Sequence, residues 1–167
     1  MKKKFAFVSL GLSVLFVGLS GCSIFPLVGG PQVAGNLVGE WPQGSRLALV
    51  GVTGGSADYS NQQQIVDDNI TDGYVFALPE PAAEGAYRIV GYQDTNQNSL
   101  FDAGEEIGTT GNKYLIYAPI DKELGVAGAT IVVRRGWNGY DSSAANTSET
   151  PNPFQADTYS DYDLLIN

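Results

Sequence analysis

The chain predicts an all-β fold, a single antiparallel β-sandwich, on three observations. Its apolar residues alternate in short runs with a period of two, many of them β-branched. Gly, Pro, Asn and Asp stand between those runs, where turns need them. Beyond the N-terminal apolar run, no stretch shows the three-to-four spacing and caps of an amphipathic helix.

Taken in order, the chain opens with Met1-Lys2-Lys3-Lys4 and then runs apolar from Phe5 to Leu19, broken only by Gly and Ser. A basic start followed by an apolar run of about 15 residues has the form of a secretory signal. A spanning helix would need about 20 apolar residues. The run ends at Leu19-Ser20-Gly21-Cys22, which resembles the lipobox of bacterial lipoproteins. The resemblance implies that residues 1–21 are a signal peptide cut before Cys22. It also implies that the Cys22 thiol takes a diacylglyceryl group and the new amine an acyl chain such as palmitate. Two or more chains anchor stably, because each buried CH₂ contributes about 0.8 kcal/mol. Ser23 follows the cysteine, which in a double-membraned bacterium resembles a lipoprotein released to the outer membrane. The expected location is the cell envelope, lipid-anchored and facing away from the cytoplasm.

Removing 21 of the 167 residues leaves 146, enough for one domain with a core. Losing Lys2, Lys3 and Lys4 takes the net charge from −9 to −12. So acidic a surface repels phosphate backbones and anionic lipid, which argues against nucleic acid and leaves the anchor as the expected membrane contact. Cys22 is the only cysteine and there is no histidine. Cys/His zinc sites, Ser-His-Asp triads and Cys-His pairs are thereby excluded.

Residues 22–31 form a Gly- and Pro-containing tether. Residues 32–135 carry the sandwich, with strands expected at Gln32–Trp41, Arg46–Val52, Tyr74–Leu78, Tyr87–Gln93, Lys113–Tyr117 and Thr130–Arg135. A weaker run lies at Gln64–Val66. Residues 136–167 read as a polar extension rich in Asn, Ser, Thr and Asp, with a terminal strand near Tyr162–Ile166.

One segment carries chemistry. Asp94, Asn96, Asn98, Leu100, Asp102 and Glu105 stand at positions 1, 3, 5, 7, 9 and 12 of a twelve-residue EF-hand-type loop. Calcium takes six to eight hard oxygen ligands. Asp94, Asn96 and Asn98 would each supply one side-chain oxygen and Leu100 its carbonyl. Glu105 would supply both carboxylate oxygens, and Asp102 would bind directly or through water. Position 6, usually a glycine with positive φ, is Ser99, a departure that costs on the order of 1 kcal/mol. With two of the ligands neutral amides, the expected affinity is weak, in the ~10⁻⁴–10⁻³ M range of extracellular modules. Strand patterns rather than helices flank the loop, at residues 86–92 and 113–117.

Gly73-Tyr-Val-Phe-Ala-Leu-Pro79, then Gly85-Ala-Tyr-Arg-Ile-Val90, then the Asp94 loop, resembles the calcium-loop members of the Cna-B/SD-repeat B-type, transthyretin-like (Ig-like) sandwiches. Carboxypeptidase regulatory-like domains share this order of motifs. The resemblance spans about residues 33 to 118. It implies a structural or adhesion module on a cell surface, rigidified by calcium. Some Cna-B domains carry a Lys–Asn crosslink with the lysine on an early strand. Here the lysines beyond the signal are Lys113 and Lys122, so the crosslink is not carried over.

The remaining candidates are weaker. Trp41, Trp137, Tyr140 and Tyr159 are of the type that stacks on sugars, and equally of the type that fills small sandwiches. Asp67/Asp68 and Glu105/Glu106 are adjacent acids that point apart, unlike a glycosidase pair. Arg134 and Arg135 are expected to pair locally, and Gly51–Ser56 to form a turn rather than a phosphate loop. The expectation is a non-enzymatic, calcium-stabilised envelope lipoprotein with an envelope protein or glycan as partner. The alternative is a carbohydrate-binding or transport-accessory lipoprotein using exposed aromatics.

Overall fold

In the computed structural model, residues 30–65 and 72–166 are described. The signal segment, Cys22, most of the tether, and Asp67 and Asp68 lie outside the described residues. The strands are β1 (Gln32–Val38), β2 (Arg46–Thr53), β3 (Ser56–Ile65), β4 (Gly73–Ala77), β5 (Gly85–Tyr92), β6 (Glu106–Thr109), β7 (Lys113–Ala118), β8 (Lys122–Val126), β9 (Ala129–Val133), β10 (Gly136–Asp141), β11 (Thr158–Tyr159) and β12 (Leu164–Ile166). Among the described residues there is no helix. The six strongest runs in the sequence coincide with β1, β2, β4, β5, β7 and β9.

Alternation decides which side each residue faces. In β2, Leu47 and Leu49 join one apolar cluster while Ala48 and Val50 join another. In β5, Tyr87 and Ile89 face the first cluster, Val90 and Tyr92 the opposite one. In β7, Leu115 and Tyr117 face inward, while Tyr114 and Ile116 pack beneath the β8–β9 hairpin with Ile131 and Val133. The central strands are thus covered on both faces. The main core lies between β2, β5, β7 and β10 on one side and Val33 of β1 with Tyr159, Tyr162 and Leu164 on the other. This layering is consistent with a β-sandwich.

The sheet is mixed, which corrects the antiparallel-only expectation. β1 pairs antiparallel with β4 along one edge, but parallel with β11 and then β12 along the other. The chain's last residues close the sheet by lying beside its first strand, and β12 continues onto β6. Between β11 and β12 the chain leaves the ladder at Asp161 (φ 62°). The gap is bridged by Asn36, whose backbone N–H and side-chain amide donate to Asp163 Oδ1 at 2.8 and 3.0 Å.

The polar extension is also corrected at its start. Gly136–Asp141 is β10, paired along its whole length with β7. Its low strand propensity hid it, but Gly139 and Asn138 each have a packing reason. A Cβ at Gly139 would come 2.7 Å from the Phe154 ring. Buried Asn138 clamps the preceding turn, accepting from Arg134 N–H (3.0 Å) and donating to the Arg134 carbonyl (2.7 Å). β3 was marked only at its end, by the weak run at Gln64–Val66, for another reason. Among the described residues it pairs only with β2, and its half-exposed Gln and Asn residues show no apolar alternation. The turn expected at Gly51–Ser56 is a two-residue hairpin between β2 and β3, with Gly54 and Gly55 at φ 61° and 87°.

Candidate functional site

The Asp94–Glu105 loop closes the β5–β6 hairpin, in which Tyr92 pairs with Glu106 and Gly91 with Gly108. Strand β6 follows the loop directly, so the flanking strand expected at residues 113–117 is one strand further on. The half-buried Trp41 lies across the hairpin's base, and only glycine fits beneath it. A Cβ at Gly91 would stand 2.2 Å from the indole, and one at Gly108 2.8 Å.

Inside the loop, Ser99 adopts the left-handed conformation, with φ 64°, and Gln97 does so with φ 59°. Asp94 organises this tight path. Its Oδ1 accepts from Asn98 N–H at 3.0 Å and its Oδ2 from Ser99 N–H at 2.9 Å. Asn96 Oδ1 accepts from Asn98 N–H (3.0 Å), and Asn98 Oδ1 from Leu100 N–H (2.8 Å). The alternate polar side chains therefore all turn inward. Those of positions 3, 5 and 9 meet at one point, where the amides of Asn96 and Asn98 donate to Asp102 Oδ2 at 2.9 and 2.7 Å.

Glu105 behaves differently from its neighbours. It is only 5 % exposed. Its Oε1 accepts from the backbone N–H and hydroxyl of Thr95 (2.9 and 2.8 Å), and its Oε2 from Asp102 N–H (3.0 Å). The carboxylate staples the two ends of the loop together. Each carboxylate oxygen has two lone pairs, so Oε2 keeps one beyond this bond. Glu106, next in the chain, is exposed, so this pair of acids does not face one cleft.

Two contacts tie the loop to the sheet. Phe101 is 1 % exposed and packs on the outer face of β2 and β5, 5.6 Å from the Tyr92 ring and 5.3 Å from Tyr59. The Gln62 side chain from β3 serves Phe101 as a strand would, donating to its carbonyl (3.0 Å) and accepting from its N–H (2.9 Å). Second, Arg46 Nη1 lies 2.8 Å from Asp94 Oδ2 and 3.1 Å from Ser99 Oγ. Partial desolvation pushes the Asp94 carboxyl up, but the Ser99 and Asn98 N–H groups and Arg46 outweigh it and hold the carboxyl below the usual range.

As a test of fit to a hard cation, the donor chemistry is suitable. Asp94, Asn96, Asn98 and Asp102 bring side-chain oxygens to one loop, and the Asn96 and Asn98 amides would have to turn from Asp102, giving up their bonds to the Asn98 and Leu100 N–H groups, to present oxygen to an ion. Among the described residues, no three Asp, Glu, His or Cys side chains gather by themselves. The convergence in this loop is of amides with carboxylates. Glu105 is committed to loop N–H groups and would have to give up part of that role to bind in bidentate fashion.

Arg46, Gln62, Thr95 and Phe101 are the site's unforeseen members. Only Phe101 left a signal in sequence, as the one aromatic residue of a mostly polar loop. The other three act through register and backbone path. Of the four aromatics considered for sugar stacking, Trp137, Tyr140 and Tyr159 are packed, at 3, 7 and 1 % exposed, while Trp41 is half-buried over Gly91 and Gly108. Among the described residues the ion pairs join Arg46 to Asp94 and Lys122 to Glu84 and leave out Arg134 and Arg135, whose local partner is instead Asp121, accepting from Arg135 N–H at 2.7 Å.

Compared with family models, with curated proteins and with solved structures, the chain matches none of them.

Proposed function

We propose that this chain is a non-enzymatic, calcium-stabilised lipoprotein of the cell envelope, held to a membrane by lipid on Cys22 and acting as a structural or adhesion module. One observation carries the calcium reading. Asp94, Asn96, Asn98 and Asp102 turn their side chains into a single tight loop that is anchored in the core by Phe101. Calcium bound by Asp94, Asn96, Asn98, the Leu100 carbonyl, Asp102 and Glu105 would neutralise a concentration of negative charge and stiffen one end of the domain. The likeness of the loop and its preceding strands to calcium-loop Cna-B-type domains supports the same reading, as does the acidic composition. The chain has no histidine and no cysteine but Cys22, so a nucleophile would need a base of another kind.

Thermal melts with calcium and with chelator test the site. At calcium tenfold above its dissociation constant, binding to the folded state alone adds about 1.4 kcal/mol. For a chain of this size that raises the midpoint by about 3–6 °C. An unchanged midpoint at 10 mM calcium would remove the loop from the account.

The anchor has its own test. Cys22→Ser should move the protein from the membrane fraction to the soluble fraction of washed cells and leave its melting midpoint within about 1 °C of the parent. Retention of the variant in the membrane fraction would show another attachment.

A further inference from the structure

We infer that Arg46 is a tethered competitor for the metal at this loop, set there to keep its calcium affinity low; the inference rests on the calcium reading above. Arg46 opens β2 directly opposite Tyr92 in the antiparallel register. Residues two apart share a face, so its side chain reaches diagonally across to residue 94. There the guanidinium sits 2.8 Å from Asp94 Oδ2, the first oxygen donor of the loop. The Asp94 side chain is 8 % exposed and that of Arg46 36 %, so the contact is partly shielded on the carboxylate side while the arginine keeps access to water.

Asp94, Asp102 and Glu105 would bring three negative charges to a divalent ion, and Arg46 already draws on the first of them. A calcium ion that uses Asp94 must loosen its bond to the guanidinium and move that charge toward water, which lowers the ion's affinity. In the absence of calcium, the same arginine relieves repulsion within the loop and holds it closed. The substitution of serine for glycine at position 6 belongs to the same device. Ser99 Oγ accepts a second bond from the guanidinium at 3.1 Å, which a glycine could not offer. Arg46 therefore stabilises the calcium-free loop and weakens the calcium-bound one, and the loop fills only where calcium is abundant.

Calorimetric titration of the full chain in detergent with calcium chloride, at low ionic strength, tests this. Arg46→Gln should bind calcium about tenfold more tightly, inside the ~5–150-fold span usual for coupled sites. It should also melt lower than the parent in chelator and show a larger calcium-induced rise. Arg46→Lys, which keeps the charge, should stay within about threefold of the parent. A purely structural arginine would lower the melting point equally with and without calcium and leave the affinity unmoved, and that result would overturn the inference while sparing the calcium site. No heat from parent or Arg46→Gln at 10 mM calcium would overturn both. The parent protein supplies a readout that needs no variant to fold: saturating calcium should shift the Arg46 guanidinium resonances and speed their exchange with water. A guanidinium unmoved at saturation would also overturn the inference.

Discussion

Replacing Phe101 with alanine should cost the domain about 3–5 kcal/mol, the range for a large aromatic removed from a packed site. The ring belongs to a loop, yet it is 1 % exposed and lies with Ala48, Val50, Val90 and Tyr92 on the outer face of the sheet. Its removal strips cover from that face, and the contacts with Tyr59 and Tyr92 add about 0.5–1.5 kcal/mol each to ordinary burial. The effect should also reach the loop. Without the ring, the Gln62 amide alone would hold residue 101 to β3, and the inward turn of Asp94, Asn96, Asn98 and Asp102 would lose its fixed end. Urea unfolding of Phe101→Ala and Phe101→Leu, each with and without calcium, measures both consequences. The leucine variant should recover more than half of the loss. A cost below about 1 kcal/mol for alanine would mean that the loop is not docked on the sheet.

Trp137→Ala should be as damaging, at about 3–5 kcal/mol. The indole stands between Tyr87 and Tyr117, 5.3 Å from each ring, and its N–H donates to the Pro79 carbonyl at 2.9 Å. The backbone carbonyl of the same residue accepts from Tyr159 O–H at 2.7 Å, which draws the C-terminal segment onto the core. Truncation would leave a cavity and an unpaired Pro79 carbonyl together. Trp137→Phe should keep much of the packing and lose the hydrogen bond, for a cost nearer 1–2 kcal/mol. If residues from 136 onward were a loosely attached extension, both changes would fall within about 0.5 kcal/mol of the parent. Denaturant midpoints distinguish these cases directly.

These two residues also mark how much could be read from the chain. The alternation of Leu47-Ala-Leu-Val50 or Tyr114-Leu-Ile-Tyr117 declares a strand because neighbouring side chains must face opposite sides, whatever lies across from them. The loop was legible for the same kind of reason. Its oxygen-bearing side chains and their spacing are local, and Ser99 takes up a positive φ within it. β10 was not legible, because Gly139 and Asn138 are poor strand residues until Phe154 needs the space and the turn at Arg134 needs a clamp.

By itself, then, the sequence determined the all-β class, most of the central strands and a polar loop at Asp94–Glu105, since each depends on side-chain period or chemistry within a few residues. Only the tertiary structure decided that β1 would take parallel partners from the chain's far end. It also decided that Phe101 would be buried, that Glu105 would staple the loop, and that Arg46 would meet Asp94. Those outcomes turn on register between strands distant in sequence. A shift of one residue would have sent Arg46 to the opposite face of the sheet.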